Sequence, residues 1–415
     1  MLRFDLLGTL GGVRFRAPAA DACLVAAGNS LTVINATSGE TVPLFLGAGA
    51  LPVAGEATAH GARVTVTVDG VTGGLLPDLI AAARLAGAEG HSLRGGLAAG
   101  GGFAQAVEVI AVTLPSGASL LYAARPAGSG IDRFALGPDG TLAFLGRMAD
   151  GAGVPLASVA AMATVQVGGA GYLLAGSQTE HGLTAFRIGA DGALAQVATL
   201  TQGDGLPVQT ITAMQTVVMG GASFAIVAAA GSSSLTVVRI LDGGGMVITD
   251  QLIDELGTRF AGATVLDVVT HQGRVFVVAA GSDDGITLLT LLPDGTLQVL
   301  DVLADGLTTS LADISAVRAV VVGNELQVAV LSGIDAGLTV LRVDLSTLGA
   351  TGTATALDDV VAAPAGGGSV AAGAGADIVL DSAGSDLLSG GAGGDLFVLG
   401  RDGVADTILD FDPAV

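Results

Sequence analysis

Short apolar runs, mostly Val, Leu, Ile and Ala, alternate along this chain with clusters of Gly, Asp and Pro. Runs of that length, punctuated so often, predict strands rather than helices. One stretch shows the unit. "ATVLDVVTHQG" leads into "GRVFVVAAG", a small polar loop follows, then "ITLLTLL", a Pro-Asp-Gly turn and "TLQVLDVL". Asp-Gly between two strand-like runs is a hairpin signal, because both central residues of a type I′ turn need positive φ.

The unit repeats. Aligning "YAARPAGSGIDRFALGPDGTLAFL", "LLAGSQTEHGLTAFRIGADGALAQV", "IVAAAGSSSLTVVRILDGGGMVITD" and "FVVAAGSDDGITLLTLLPDGTLQVL" puts Asp139, Asp191, Asp242 and Asp294 in one column, spaced 52, 51 and 52. "VAVLSGIDAGLTVLRVDLSTL" follows in register. About four strands in every fifty residues is the arithmetic of a β-propeller blade, and closing the ring leaves no open sheet edge. The N-terminal "CLVAAGNSLTVINATSGETVPLFL" matches the later strands of a unit, and its Gly28 lies 97 residues, two periods, before Arg125. One blade is therefore expected between them. "RVTVTVDGVTGG" supplies one of its hairpins, whereas "LPDLIAAARLAGAEGHSLRGG" reads as a partly helical insertion. The expectation is an all-β protein with a seven-bladed propeller over residues 1–348, six blades being the count if that slot is empty.

These blade repeats resemble the lactonase-like propellers, including the phosphogluconolactonase type, over roughly residues 20–350. The resemblance implies fold alone, since the shared signals are loops and turns. No catalytic residue is carried across.

Residues 349–370, "GATGTATALDDVVAAPAGGGSV", contain a Pro and a Gly triplet among small residues and are expected to be a flexible linker. Beyond them "AGAGADIVL", "DSAGSDLLS" and "GGAGGDLFV" place Asp377, Asp386 and Asp395 at one position of successive nines. The glycines permit tight turns of positive φ, and the apolar residues Val379, Leu388 and Phe397, two places after each Asp, point inward. Residues 371–415 resemble the RTX, or haemolysin-type calcium-binding, repeat. The resemblance implies a short parallel β-roll in which the first and third turns stack. It also implies calcium ligands among Gly373, Gly375, Asp377, Gly384, Asp386, Gly391, Gly393 and Asp395, with one ion between the Asp377 and Asp395 turns. The second turn carries Asp381 and Ser382 where glycines belong, which argues against an ion there. "DGVADTILDF" is similar to the segment that closes such blocks, and the family's C-terminal secretion signal would follow it, so the chain is read as truncated.

Composition narrows the function. The formal charge is −22, Asp outnumbers Glu by 31 to 7, and all 16 basic residues are Arg. A phosphate backbone would be repelled, which excludes nucleic acid as a partner. No apolar run is long enough to span a membrane. The single cysteine, Cys23, excludes an internal disulfide and reads as a small buried apolar residue. Asp5 interrupts the apolar stretch at the N-terminus and Arg14 and Arg16 follow, so no cleaved export signal is expected there, and export is expected by the type I route that the RTX resemblance implies.

Catalytic signals are sparse. The four histidines, His60, His91, His181 and His271, are scattered without zinc-protease spacing, and no Ser-hydrolase elbow or P-loop is present. Asp150, Asp204, Asp254 and Asp305 recur at the blade connections, and Glu180, His181, Asp283, Asp284 and Asp335 in the neighbouring loops. They read first as turn residues repeated with the blade. The alternative is a ring of acids at the propeller mouth that holds a cation or supports hydrolysis. The sequence thus points to a secreted, extracellular calcium-binding protein whose propeller is a binding or structural module for a protein or surface partner. The alternatives are an exported lactonase-like hydrolase and an intracellular propeller whose tail merely looks like RTX.

Overall fold

A computed structural model describes residues 2–10, 22–27, 30–35, 40–59, 63–98, 105–335 and 337–412. Gly28 and His60 lie outside them. Six antiparallel sheets follow one another around an axis. The first blade is Ala22–Ala27, Ser30–Asn35, Glu40–Gly47 and Ala50–Ala54, and the second is Gln105–Thr113, Ser119–Ala124, Ile131–Leu136 and Leu142–Met148. The third begins at Val159–Val167, the fourth at Ile211–Met219, the fifth at Val265–His271 and the sixth at Ile314–Val322. The sixth is completed by Phe4–Leu10, which pairs antiparallel with Leu338–Asp344 and so ties the N-terminus to the last blade.

Six apolar clusters, one per seam, establish the ring. They join Cys23 to Leu121, Tyr122 to Leu173, Leu174 to Val227, Val237 to Val277, Leu288 to Val328, and finally Leu331 back to Leu24. Middle strands are sandwiched on both faces. Arg274–Ala280 and Gly285–Leu291 are therefore buried along their whole length, which explains apolar runs with no alternation. Outer strands such as Leu142–Met148 are largely solvated.

The count is six, not seven. The slot between the first two blades holds a two-stranded hairpin, Val64–Val68 with Val71–Leu75, a helix, Pro77–Ala88, and the strand Leu93–Leu97, which joins the second blade as a fifth strand beside Gln105–Thr113. Leu79, Ile80 and Ala83 of the helix fill the seam between the first and second blades. Two strands and an Ala-rich helix cannot form a four-stranded sheet, so the segment wedges into the ring instead of extending it.

The turns also differ from expectation. The Pro-Asp-Gly loops have positive φ only at the glycine, as at Gly140 and Gly295. Proline fixes a negative φ just before the Asp, so a type I turn with a left-handed glycine replaces type I′. Paired positive φ values fall on the opposite blade hairpins, at Gly168-Gly169, Gly220-Gly221 and Gln272-Gly273, and on the inserted hairpin at Asp69-Gly70.

From Leu348 the chain winds into two parallel sheets. One contains Leu348–Thr351, Asp358–Ala362, Ile378–Leu380 and Leu396–Val398, and the other Ser369–Ala374, Leu387–Ala392 and Thr407–Ile408. The stretch 349–370, expected to be a linker, carries two strands of the first sheet and the start of the second. Partners sit 18 residues apart: Val360 beside Ile378 beside Leu396, and Ser369 beside Leu387. Val379, Leu388 and Phe397 point between the sheets with Val361 and Ala372. Ile378 and Leu380 face the other way, against Leu292 of the fifth blade.

Candidate functional site

In the parallel coil each Asp of the nonapeptides accepts a hydrogen bond from the backbone one full winding upstream. Asp377 Oδ1 takes the Asp359 N–H at 2.8 Å, Asp395 Oδ1 the Asp377 N–H at 3.0 Å, and Asp386 Oδ1 the Gly368 N–H at 2.8 Å. Asp406 Oδ1 takes the Asp386 N–H at 2.9 Å, but from 20 residues away, so the last winding is two residues too long. The turns therefore stack in two columns. Asp359, Asp377 and Asp395 form one, and Asp386 and Asp406 the other. Asp359 is a member that the sequence reading missed; its place 18 residues before Asp377 was the available signal.

The two columns treat their second carboxylate oxygen differently. Asp386 Oδ2 accepts from the Ser382 N–H at 2.7 Å and its hydroxyl at 2.9 Å. Burial works against the charge of Asp386, but the bonds from Ser382 and Gly368 outweigh it and hold the carboxyl below its usual range. Asp377 Oδ2 has no partner, although Asp377 is 1% exposed. Burial first, then the neighbouring charges of Asp395, Asp359 and Asp358, keep its carboxyl above the usual range.

Glycine lines the two turns that lead into Asp377 and Asp395. Gly373, Gly375, Gly391 and Gly393 have φ of 115°, 125°, 98° and 138°. A Cβ on Gly391 would lie 1.9 Å from the Gly373 carbonyl oxygen, and one on Gly393 1.8 Å from that of Gly375. Only glycine lets successive turns approach so closely. Among the described residues no three His, Cys, Asp or Glu side chains form a metal-ligand cluster, so an ion in this column needs backbone carbonyls as well. An orphaned buried carboxylate oxygen in a column whose turns are stacked glycines is a donor set that fits a hard cation such as calcium. The structure brings Gly373, Gly375, Asp377, Gly391, Gly393 and Asp395 to this column, and sets Gly384 and Asp386 on the opposite one.

The propeller-mouth acids do not converge. Asp150, Asp254 and Asp305 each accept from the backbone N–H six residues on, at Leu156, Phe260 and Leu311, and Asp204 accepts from Thr201. Leu156, Phe260 and Leu311, whose N–H groups are capped, have side chains fully buried under the connections. Glu180 takes the Ala157 N–H and Asp284 that of Asp313. His181 has φ of 52°, and its Nδ1 accepts the Thr210 N–H at 3.0 Å. Arg125 bonds Asp69 and Gln105 and fastens the inserted hairpin.

A second concave site was not foreseen. A cavity of about 330 Å³ lies on the propeller axis, walled by inner-strand residues such as Leu24, Ala160, Met214 and Leu266. The insertion crosses it: Ser92 donates to the Met162 carbonyl, Thr216 to the Gly90 carbonyl, and Arg318 bonds Glu89. His91, Ser92, Arg94 and Glu108 line the inner end. Burial pushes Glu108 up to about 7 against the opposing effects of Arg94 and of the Ser92 hydroxyl, which it accepts at 3.0 Å. Burial and the Arg318 charge push His91 down to about 3, and burial takes the Cys23 thiol up to about 12. Gln215, Asp267 and Arg318, spaced 52 and 51, mark one inner-strand position in three blades. Arg318 reaches Asp267 at 2.8 Å, and Gln215 bonds Val268 on both its carbonyl and its N–H. A lone polar residue inside each apolar run was the signal.

No family model matches the chain, and no curated protein matches it. Among solved structures, a protein from Lactobacillus plantarum is similar at 13% identity, covering 78% of this chain and 84% of that one, with a TM-score of 0.38. An arginine-to-alanine triple mutant of AofleA from Arthrobotrys oligospora is similar at 11% identity, covering 82% of this chain and 86% of that one, with a TM-score of 0.42.

Proposed function

We propose that this is a secreted calcium-binding protein in which an RTX-type parallel β-roll holds an ion in the Asp377–Asp395 column. The propeller would act as its extracellular binding or structural module. The observation that carries the reading is the unpartnered, buried Asp377 Oδ2 in a column of stacked glycine turns. Bound calcium would supply the positive charge that lets this acidic column remain folded. Asp377 and Asp395 would hold it with the carbonyls of the glycine turns, while the 18-residue ladder of N–H bonds keeps those carboxylates aimed inward. Weak calcium sites fill at the millimolar concentrations found outside cells and stay empty at micromolar levels inside, so the roll would complete its folding after export. Thermal unfolding of the full chain in calcium and in chelator tests this. A rise in Tm with calcium that disappears in Asp377→Asn supports it, and equal unfolding in both conditions contradicts it.

The axial cavity favours a second reading, an exported propeller hydrolase, with Glu108 as a protonatable group held near neutrality and able to act as acid or base. Hydrolysis of a panel of five- and six-membered lactones, abolished in Glu108→Gln, would support it. No turnover of the panel by the native chain would count against it.

A further inference from the structure

The propeller contributes a cation to the acidic column. Arg274 opens the second strand of the fifth blade, is 3% exposed, and points out of the ring toward the coil. Its Nη2 donates to the Asp358 carbonyl oxygen at 3.1 Å, and its Nε has no partner. Burial holds the guanidinium below its usual range, and the charges of Asp358, Asp359 and Asp377 work against that effect.

Three carboxylates 18 residues apart stack in this column, and they are unlike. At its upstream end the protein answers its own oxygens. Asp359 takes the Ala350 N–H together with the N–H and hydroxyl of Thr355, while Asp358 takes the Ala376 N–H and the Thr347 hydroxyl. Asp377 accepts the Asp359 N–H through Oδ1, but its Oδ2 is left with nothing. We propose that Arg274 is the resident counter-ion of the upstream end of this column, so that the propeller and a bound ion divide its charge. The proposal rests on the calcium reading given above.

Two effects follow. Without calcium, the guanidinium holds the upstream windings folded against the fifth blade, where Val360, Ile378 and Leu380 meet Leu292. With calcium, the stabilisation is smaller than a column lacking Arg274 would show, because part of the repulsion is already cancelled.

The test uses the full chain and thermal unfolding in calcium and in chelator. Arg274→Met keeps the apolar stem and removes the charge; Arg274→Lys keeps a charge. The expected result is a lower Tm for Arg274→Met in chelator and a calcium-induced rise at least twice that of the native chain. A variant that folds only with calcium is the extreme form of this outcome. Arg274→Lys should return most of the native behaviour. An equal calcium-induced rise in the native chain and Arg274→Met, or a lysine variant that behaves like the methionine one, overturns the role of Arg274 alone. No calcium response in the native chain overturns the calcium reading itself, and this proposal with it.

Discussion

A carboxylate taken out of water keeps its charge only if donors or a cation replace the lost hydration, and the two most exposed to this demand are Asp377 and Glu108. For Asp377 the raised carboxyl gives a definite pH sign. The calcium-free folded chain holds the proton more tightly than the unfolded chain, so stability should rise as pH falls through that raised value. Asp377→Asn, isosteric and uncharged, should flatten this dependence and cost little stability in chelator, since Oδ1 keeps its rung to the Asp359 N–H. Glu108 has the same sign with a stated window. Its folded value of about 7, against 4.5 for the unfolded group, means that its contribution to stability is present below the lower value and lost as pH climbs to the upper one. The loss is bounded at about 3 kcal/mol for a shift of this size. Denaturant unfolding of the native chain and Glu108→Gln from mildly acidic to mildly basic pH should give curves that diverge across that window. Parallel curves would show Glu108 to be ionised throughout.

The turn is the element on which the coil depends. Gly391→Ala would drive a Cβ into the Gly373 carbonyl oxygen and also demand φ of 98° from an alanine. A cost of roughly 1–3 kcal/mol is the usual scale for such backbone strain, before any loss of ion binding. Gly394 has open space around its Cβ position, so Gly394→Ala should be close to neutral. Denaturant unfolding of the two variants side by side makes the comparison, and equal stability would remove the close-packing argument. The spacing of nine was legible in the sequence because every winding repeats the same chemistry, and it located Val379, Leu388 and Phe397 on the inward face. The windings before Ala372 were harder to read. Only Asp359 survives there from the nonapeptide pattern, and a Pro and Gly triplet gave the same segment the composition of a linker. The Asp-Gly turns illustrate a different limit. Their position was clear, but their type was set by the preceding proline or neighbouring glycines, which a dipeptide signal ignores.

At the scale of the whole molecule, the period of about fifty residues was the strongest signal, because each blade buries both faces and must repeat the same apolar runs. The blade count failed for a physical reason: counting periods assumes that every length of chain makes a sheet. Residues 63–98 spend theirs on a hairpin, a wedge helix and a strand added to the second blade, and in doing so floor the axial cavity. That cavity is assembled from residues of several blades far apart in sequence, mostly apolar with single polar positions such as Asp267 and Arg318, so no local motif announced it. The coil is likewise part of the whole rather than an appendage, since its outer face packs on Leu292 and its column reaches Arg274. Charge and packing therefore meet at this seam, and an ion bound in the coil would act on the stability of its contact with the fifth blade. The most direct test is equilibrium calcium binding to the full chain, counted per molecule. One ion bound at millimolar concentration by the native protein, and none by Asp377→Asn, is the predicted result; no bound ion, or undiminished binding by the variant, would contradict the account.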